Sequence, residues 1–434
     1  MKFRSSLSTV EELNESIWDS ISIYIPKSIA TNQFAVGAYD GSAVTADECA
    51  VITVTVDNYA DVLNSTGALY AQYLPIFNDG TNRAVTLYCI VFDDTSFSPT
   101  VGASGASWSP LTKAFKELYS ISYFKCLFSE HYDGSAVTHD PAEEGDYDDS
   151  NYFDMALCLA TLCEAETTLS LFLCEVRVAI FAEGSADTNT AKLLSVTKAD
   201  EEAHCTTLTG STKADRAEYF WGYIHLIGGK RTFMLVHNGS IMIPIVLALW
   251  FAQSNVSGEH VGNKLAKIRL TGNRVKPTGL PSRLNAEVNT NVGAYIHDNL
   301  DAKKVAYFIA IDATSLNNAE MISDRTISDF PVTADMITKW VDYTTSQDIA
   351  HYRDAITTLT EPVLCNEDTY ARIQSILTNN VYKFAGTNRI TNIQFTFPAF
   401  SEVKKGNSLE GNLVWSAVYV DDLGSVTMTG SVSF

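Results

Sequence analysis

Leu413-Val414-Trp415-Ser416-Ala417-Val418-Tyr419-Val420, followed closely by Ser425-Val426-Thr427-Met428-Thr429-Gly430-Ser431-Val432-Ser433-Phe434, is the most regular part of this chain. In the second run Val426, Met428, Val432 and Phe434 share one parity, and Thr427, Thr429, Ser431 and Ser433 share the other. A period of two with apolar and hydroxyl residues alternating is the mark of a half-buried strand. Asn392–Phe397 is a third strand of the same region. At the other end, Ile17, Ile21, Ile23 and Ile25 also fall on one parity before Pro26 stops the run.

Between these ends the pattern alternates. Short apolar strands are expected at Ala50–Val56, Ala84–Phe92, Glu175–Phe181, Arg231–Val236 and Val305–Ile311. Helices are expected over Pro110–Glu130, from Tyr152 towards the strand at Glu175, over Ile243–Gln253, in part of Asn285–Leu300, over Thr333–Thr358 and over Asp368–Phe384. In the Thr333–Thr358 helix Thr333 is the expected N-cap, and Ile337, Trp340, Val341 and Thr344 line one face. Gly184–Asp215 is rich in Ser, Thr, Ala and Asp and reads as a surface excursion. The fold class is α/β, in the mixed α+β sense, with several domains. The expected divisions are an N-terminal arm with a strand (1–30), an N-terminal α/β region with a possible inserted outer subdomain (31–230), an α/β core (231–391) and a C-terminal β segment and arm (392–434).

Composition narrows the function. The chain has 434 residues, and 51 acidic against 30 basic residues give a net charge of −21. Such a chain lacks the basic footprint of a nucleic-acid binder, so no direct nucleic-acid contact is expected. Free subunits repel one another, so an assembly must bury area or pair charges locally. Eight cysteines are too sparse for a disulfide scaffold. Cys158, Cys163 and Cys174 have no zinc-ligand spacing and read as buried thiols. No apolar core follows the first residues, which speaks against a secretory signal. Phe233–Ala252 is apolar but broken by His237, Asn238, Gly239, Ser240 and Pro244, so a strand, a turn and a buried helix fit better than membrane insertion.

The motifs of catalysis fail one by one. Gly102-Ala103-Ser104-Gly105-Ala106 resembles a nucleophile elbow, but its last position must be Gly. Gly228-Gly229-Lys230-Arg231 echoes a phosphate loop, with Ile224 where the first Gly belongs and Arg231 where Ser or Thr belongs. The acidic run through Asp140, Glu143, Glu144, Asp146, Asp148, Asp149 and Asp154 lacks the Gly and Glu of a calcium loop and reads as solvated. The eight histidines are scattered. No catalytic residue, metal or cofactor is expected. Tyr-Asp-Gly-Ser-Ala-Val-Thr occurs twice, at Tyr39–Thr45 and Tyr132–Thr138; the flanks differ, so the repeat reads as two similar turns.

Two features point to assembly. Lys264, Lys267, Arg269, Arg274, Lys276 and Arg283 form a stretch without an acid. It is either a solvated basic loop or a docking patch for an acidic copy of the same chain or another acidic partner. The second feature is the terminal strands. Ile17, Ile21, Ile23 and Ile25 at one end, and Val426, Met428, Val432 and Phe434 at the other, either pair at home or add to a neighbour's sheet.

The part from Ile243 to Phe434 resembles the sheath proteins of contractile phage tails. The likeness runs through Ala248-Leu249-Trp250-Phe251-Ala252-Gln253-Ser254-Asn255, through Lys264–Gly272 ending in Leu270-Thr271-Gly272, and through Asp324-Arg325-Thr326-Ile327-Ser328-Asp329 before Pro331. It continues through Trp340-Val341-Asp342-Tyr343 to the closing strands Phe395–Phe400, Leu413–Tyr419 and Val426–Val432. The resemblance implies a sheath-like core of mixed sheets flanked by helices, with strand arms exchanged between subunits. It implies a homo-oligomer of stacked hexameric rings around a tail tube protein, bounded by baseplate and tail terminator proteins. Such a subunit is made in the host cytoplasm, resides in the virion and shortens its lattice on triggering without a cofactor. A static shell or surface-layer protein and an intracellular α/β enzyme with a scattered site are the alternative readings.

Overall fold

In the computed structural model the described residues are 20–78, 86–95, 109–122, 126–131, 152–165, 171–177, 193, 196–237, 269–270, 293–312, 315–322, 325–358, 365–385, 390–421 and 424–434. They form a mixed α+β chain that divides into two compact units. Of the described residues, those within Asn14–Val256 and Leu265–Phe330 make up the larger unit and those within Pro331–Phe434 the smaller.

The larger unit is built on strands β1 (Ser20–Pro26), β2 (Ala50–Val54), β3 (Thr86–Phe92), β4 (Cys126–His131), β5 (Leu171–Arg177) and β6 (Thr232–His237). Their order is β2-β3-β1-β4-β5-β6. Only β2 runs antiparallel to its neighbour; the other five are parallel. In a parallel sheet both faces are covered, and interior strands read as apolar on both parities. β1 obeys this rule: Ser22 and Tyr24 are as fully buried as Ile21, Ile23 and Ile25. Its helices are α1 (Lys27–Ala30), α2 (Tyr59–Val62), α3 (Ala68–Asn78), α4 (Ser109–Ser122), α5 (Tyr152–Ala165), α6 (Lys198–His204), α7 (Lys213–Glu218), α8 (Phe220–Ile227) and α9 (Gly293–Lys303). Phe115 of α4 stacks on Tyr24 of β1, with ring centroids 6.0 Å apart. A small antiparallel sheet, in the order β7 (Arg269–Leu270), β9 (Ser315–Ile322), β8 (Tyr307–Asp312), adjoins β6 through a bridge between Leu235 and Ala306.

The Gly228-Gly229 pair closes α8 and turns the chain into β6. Gly228 has φ 142° and Gly229 φ 64°, and a Cβ on Gly229 would run into the Ile327 side chain. Glycine is required there by conformation and by space. The Arg231 N–H donates to Glu164 Oε1 at 2.5 Å, so the echo of a phosphate loop is a helix-to-strand turn.

In the smaller unit, β10 (Ile390–Thr396), β13 (Asn412–Asp421) and β14 (Gly424–Ser433) form an antiparallel sheet in that order. One face carries Leu413, Trp415, Ala417, Tyr419, Met428 and Val432, all buried. The long helix α10 (Val332–Thr358) packs on β14, and α11 (Glu367–Ala385) packs on α10 and β10. Their buried positions, Ile337, Val341, Ile373, Leu377 and Val381, recur at helical spacing. Thr333, expected as the N-cap, lies inside α10, which starts at Val332 directly after Pro331. Between β10 and β13, helix α12 (Phe400–Val403) leads into a hairpin of β11 (Lys404–Lys405) and β12 (Ser408–Leu409), turned at Gly406 with φ 65°.

Candidate assembly surfaces

The polar clusters of the larger unit are consumed by the fold. Asp154, expected in a solvated loop, is buried and takes both Arg216 Nε (2.6 Å) and Nη2 (2.9 Å). The elements explain it: Asp154 lies in the first turn of α5, and α7 carries Arg216 against it. Glu201 and Lys303 form a second ion pair at 2.5 Å, both with fully buried side chains. Lys303 also donates to Leu193 O at 2.9 Å and lies 5.6 Å from the centre of the Trp221 ring. Glu201 accepts from the Gly222 N–H at 3.1 Å. Burial pushes the Glu201 carboxyl up and the Lys303 amine down, against the attraction of each for the other. Beside them burial pushes the Cys205 thiol up to about 12, which leaves it an inert thiol. Cys158, Cys163 and Cys174 are buried, as expected. Among the described residues no group of three His, Cys, Asp or Glu is placed to hold a metal.

The residues expected at subunit interfaces are distributed differently. Ile21, Ile23 and Ile25 are in an interior strand of the six-stranded sheet and have no exposed surface. β1 is thus no free arm: parallel pairing with β3 and β4 takes both of its edges. Ile17 lies outside the described residues. At the other end Val426 pairs with Tyr419, Met428 and Val432 are buried under the helices, and Phe434 is half-buried, stacked on Tyr370 at 5.9 Å. β14 pairs at home over ten residue pairs. Of the basic stretch only Arg269 is described: its backbone is in β7, opposite Glu320. Lys264, Lys267, Arg274, Lys276 and Arg283 lie outside the described residues, as do Gly102–Ala106, the second copy of the repeat and most of the acidic run. In the first copy of the repeat, Asp40 caps a short turn by accepting from the Ser42 N–H at 2.9 Å.

What the smaller unit leaves open is an edge and a face. Residues of an antiparallel ladder alternate between exchanging both hydrogen bonds with the partner and pointing both groups away. Gly411 and Phe434 exchange both, at 3.4 and 3.1 Å. With the unbroken register, Val432, Gly430 and Met428 therefore point inward, and Ser433, Ser431, Thr429 and Thr427 present N–H and C=O to the outer edge. Ser431 agrees: its N–H donates to Asp342 Oδ2 of α10 at 3.3 Å. Asp342 Oδ1 accepts from Trp415 Nε1 at 2.8 Å. Among the described residues no strand pairs with this outer edge.

The face away from the helices carries Thr391, Gln394 and Thr396 on β10, Asn412, Val414, Ser416 and Val418 with Val420 on β13, and Thr427, Thr429, Ser431 and Ser433 on β14. All are exposed or half-exposed. None of these twelve is charged, although surfaces are usually about a quarter to a third charged.

No protein-family model matches the chain, and no curated protein matches it. Among solved structures the chain is similar to the sheath tail protein Lin1278 from Listeria innocua, with a TM-score of 0.46 and 9% identity over 98% of each chain. No helix among the described residues is long and apolar enough to cross a membrane.

Proposed function

We propose that the protein is a structural subunit of a contractile tail sheath, stacking as hexameric rings around a tail tube protein, with no turnover chemistry of its own. The observation that carries this reading is the outer edge of β14, where Thr427, Thr429 and Ser433 offer N–H and C=O to a strand from another subunit, while the Ser431 N–H is held by Asp342. The sequence pattern from Ile243 to Phe434 supports the same reading, because its closing strands are those of this sheet. The exchange it requires differs from the one expected from sequence. β14 is an acceptor fixed in its own sheet, and the incoming strand belongs to a neighbour. The tube, baseplate and terminator contacts and the location in the virion follow from the same proposal.

Thr429→Pro tests it. The Thr429 N–H points outward, so proline removes a donor from the edge and leaves the ladder to β13 intact. Wild-type protein is expected to form hollow tubes under the electron microscope, and the variant to stay folded and form none. Tubes of normal length and frequency from a folded Thr429→Pro protein would overturn the reading.

A further inference from the structure

We infer that the cavity between α10, α11 and the β11–β12 hairpin is a binding site for a small amphipathic carboxylate, its head on Arg353 and Thr369 and its apolar body further in. Two helical repeats build the cavity. Ile349 and Arg353 are four apart on α10, and Thr369 and Ile373 are four apart on α11, so each pair shares a face. Asn380 of α11 donates to Thr345 Oγ1 at 3.2 Å and to Asp348 Oδ2 at 3.0 Å, and the later residues of α10 meet the earlier ones of α11, so the helices run antiparallel. Arg353 and Thr369 therefore stand at one end of the cavity, and Ile349 and Ile373 one turn further along. The hairpin adds Leu409, and Phe434 is held beside it by the two hydrogen bonds it exchanges with Gly411. The cavity measures about 380 Å³, within the size range of small-molecule sites.

Two of its polar groups lack a protein partner. Thr369 is only 7% exposed and lines the cavity, yet among the described residues its hydroxyl has no hydrogen bond; only its N–H is engaged, by Asn366 Oδ1 at 2.9 Å. Buried hydroxyls are rarely left so, because the lost hydration is uncompensated. Arg353, on the rim, has neither an ion pair nor a hydrogen bond among the described residues. Asp354, the acid on the same rim, already has a partner, so the free charge at the mouth is positive. The Cys365 thiol on the wall is taken by Asn407 O at 2.5 Å and is not the anchoring group. A guanidinium and a hydroxyl beside Ile349, Ile373, Leu409 and Phe434 suit a carboxylate on a short apolar chain or ring: the carboxylate accepts from both, and the apolar part leaves water. Salt screens exposed charges beyond about 8 Å, so the local guanidinium counts for more than the net charge of −21. Nothing in the site depends on tube formation.

The test is equilibrium dialysis of the full chain against octanoate, octanol and octylammonium. Octanoate is expected to bind saturably, one per chain, and at least about tenfold tighter than the uncharged or cationic probe. Arg353→Gln is expected to weaken octanoate about tenfold and to leave octanol within about twofold. Thr369→Val keeps the shape, removes the hydroxyl and is expected to weaken octanoate about fivefold. Ala350→Trp sets a large ring at the exposed rim and is expected to abolish binding of all three probes. Arg353 and Ala350 are exposed, so their replacement leaves the core untouched. No saturable octanoate binding, octylammonium bound as tightly as octanoate, or octanoate binding unchanged in any of the three variants overturns the inference.

Discussion

Gly430 is where the smaller unit tolerates least change. A Cβ built there would sit against Trp415 Nε1 and Cε2 and the Asp342 carboxylate, well inside van der Waals contact. Trp415 is fully buried, and its indole N–H is held by Asp342 at 2.8 Å. Gly430→Ala must therefore displace the indole or the carboxylate. Overpacking of this kind costs about 1–3 kcal/mol. Losing a hydrogen bond to a charged group costs about 1.5–3 kcal/mol more. A total of about 3 kcal/mol corresponds to roughly a hundredfold change in the opening equilibrium. The assay is hydrogen exchange by mass spectrometry, which reads local opening. Peptides from 412–421 and 424–433 are expected to lose roughly a hundredfold in protection, while those from β1 and β3 keep theirs. In an Asp342→Ala background the added effect of Gly430→Ala is expected to shrink, because one of the clashing groups is gone. A change below about threefold in the single variant would mean that the sheet accommodates a methyl group there, and the packing argument would fail.

Other consequences follow from the same geometry. Lys303→Met alone leaves Glu201 buried and unpaired and is expected to destabilise the protein by about 3–5 kcal/mol, whereas Lys303→Met with Glu201→Leu is expected to be near neutral; urea denaturation distinguishes the two. Burial lowers the His225 imidazole below its ordinary 6.5, against the pull of Glu202. The unfolded chain then takes up the proton first, so stability from this group is full above about pH 6.5 and declines as pH falls through the folded value. The stability difference between wild type and His225→Gln, measured from pH 8 to pH 5.5, is expected to narrow on acidification. Deleting Gly424–Phe434 removes Met428, Val432 and a full ladder, and is expected to unfold the smaller unit, seen as lost protection in α10 and α11.

Local pattern reached much of this fold. β10, β13, β14, α10 and α11 lie within one or two residues of the runs expected from parity and helical spacing, because each buries one face and its sequence records that face. β1 was legible as a strand but not as an interior one, since burial of Ser22 and Tyr24 depends on the helices covering its second face. The expected helix over Pro110–Glu130 is α4 followed by β4, which pairs with β1 a hundred residues earlier. Cys126-Leu127-Phe128 is apolar enough for either state, and the long-range parallel pairing decides. β9, Ser315-Leu316-Asn317-Asn318-Ala319-Glu320-Met321-Ile322, has almost no β-branched residue; its partner β8 makes it a strand. Glu201, Lys303 and Arg216 gave no signal in sequence, because each lies in a short polar helix or at a helix end and is buried by distant elements. The uncharged face was partly visible in the alternating Thr and Ser of β14. Its extent appeared only when register placed β10 and β13 beside it.

The proposed function requires that a neighbour's strand adds to the edge of β14 as tubes form. Electron microscopy of the purified full-length protein, carried to a resolution that separates strands, measures it most directly. The expected result is hollow tubes of stacked six-fold rings with a fourth strand, from another subunit, hydrogen-bonded to Thr427, Thr429 and Ser433. Flat sheets, single particles at every concentration, or tubes in which the outer edge of β14 is bare would contradict it.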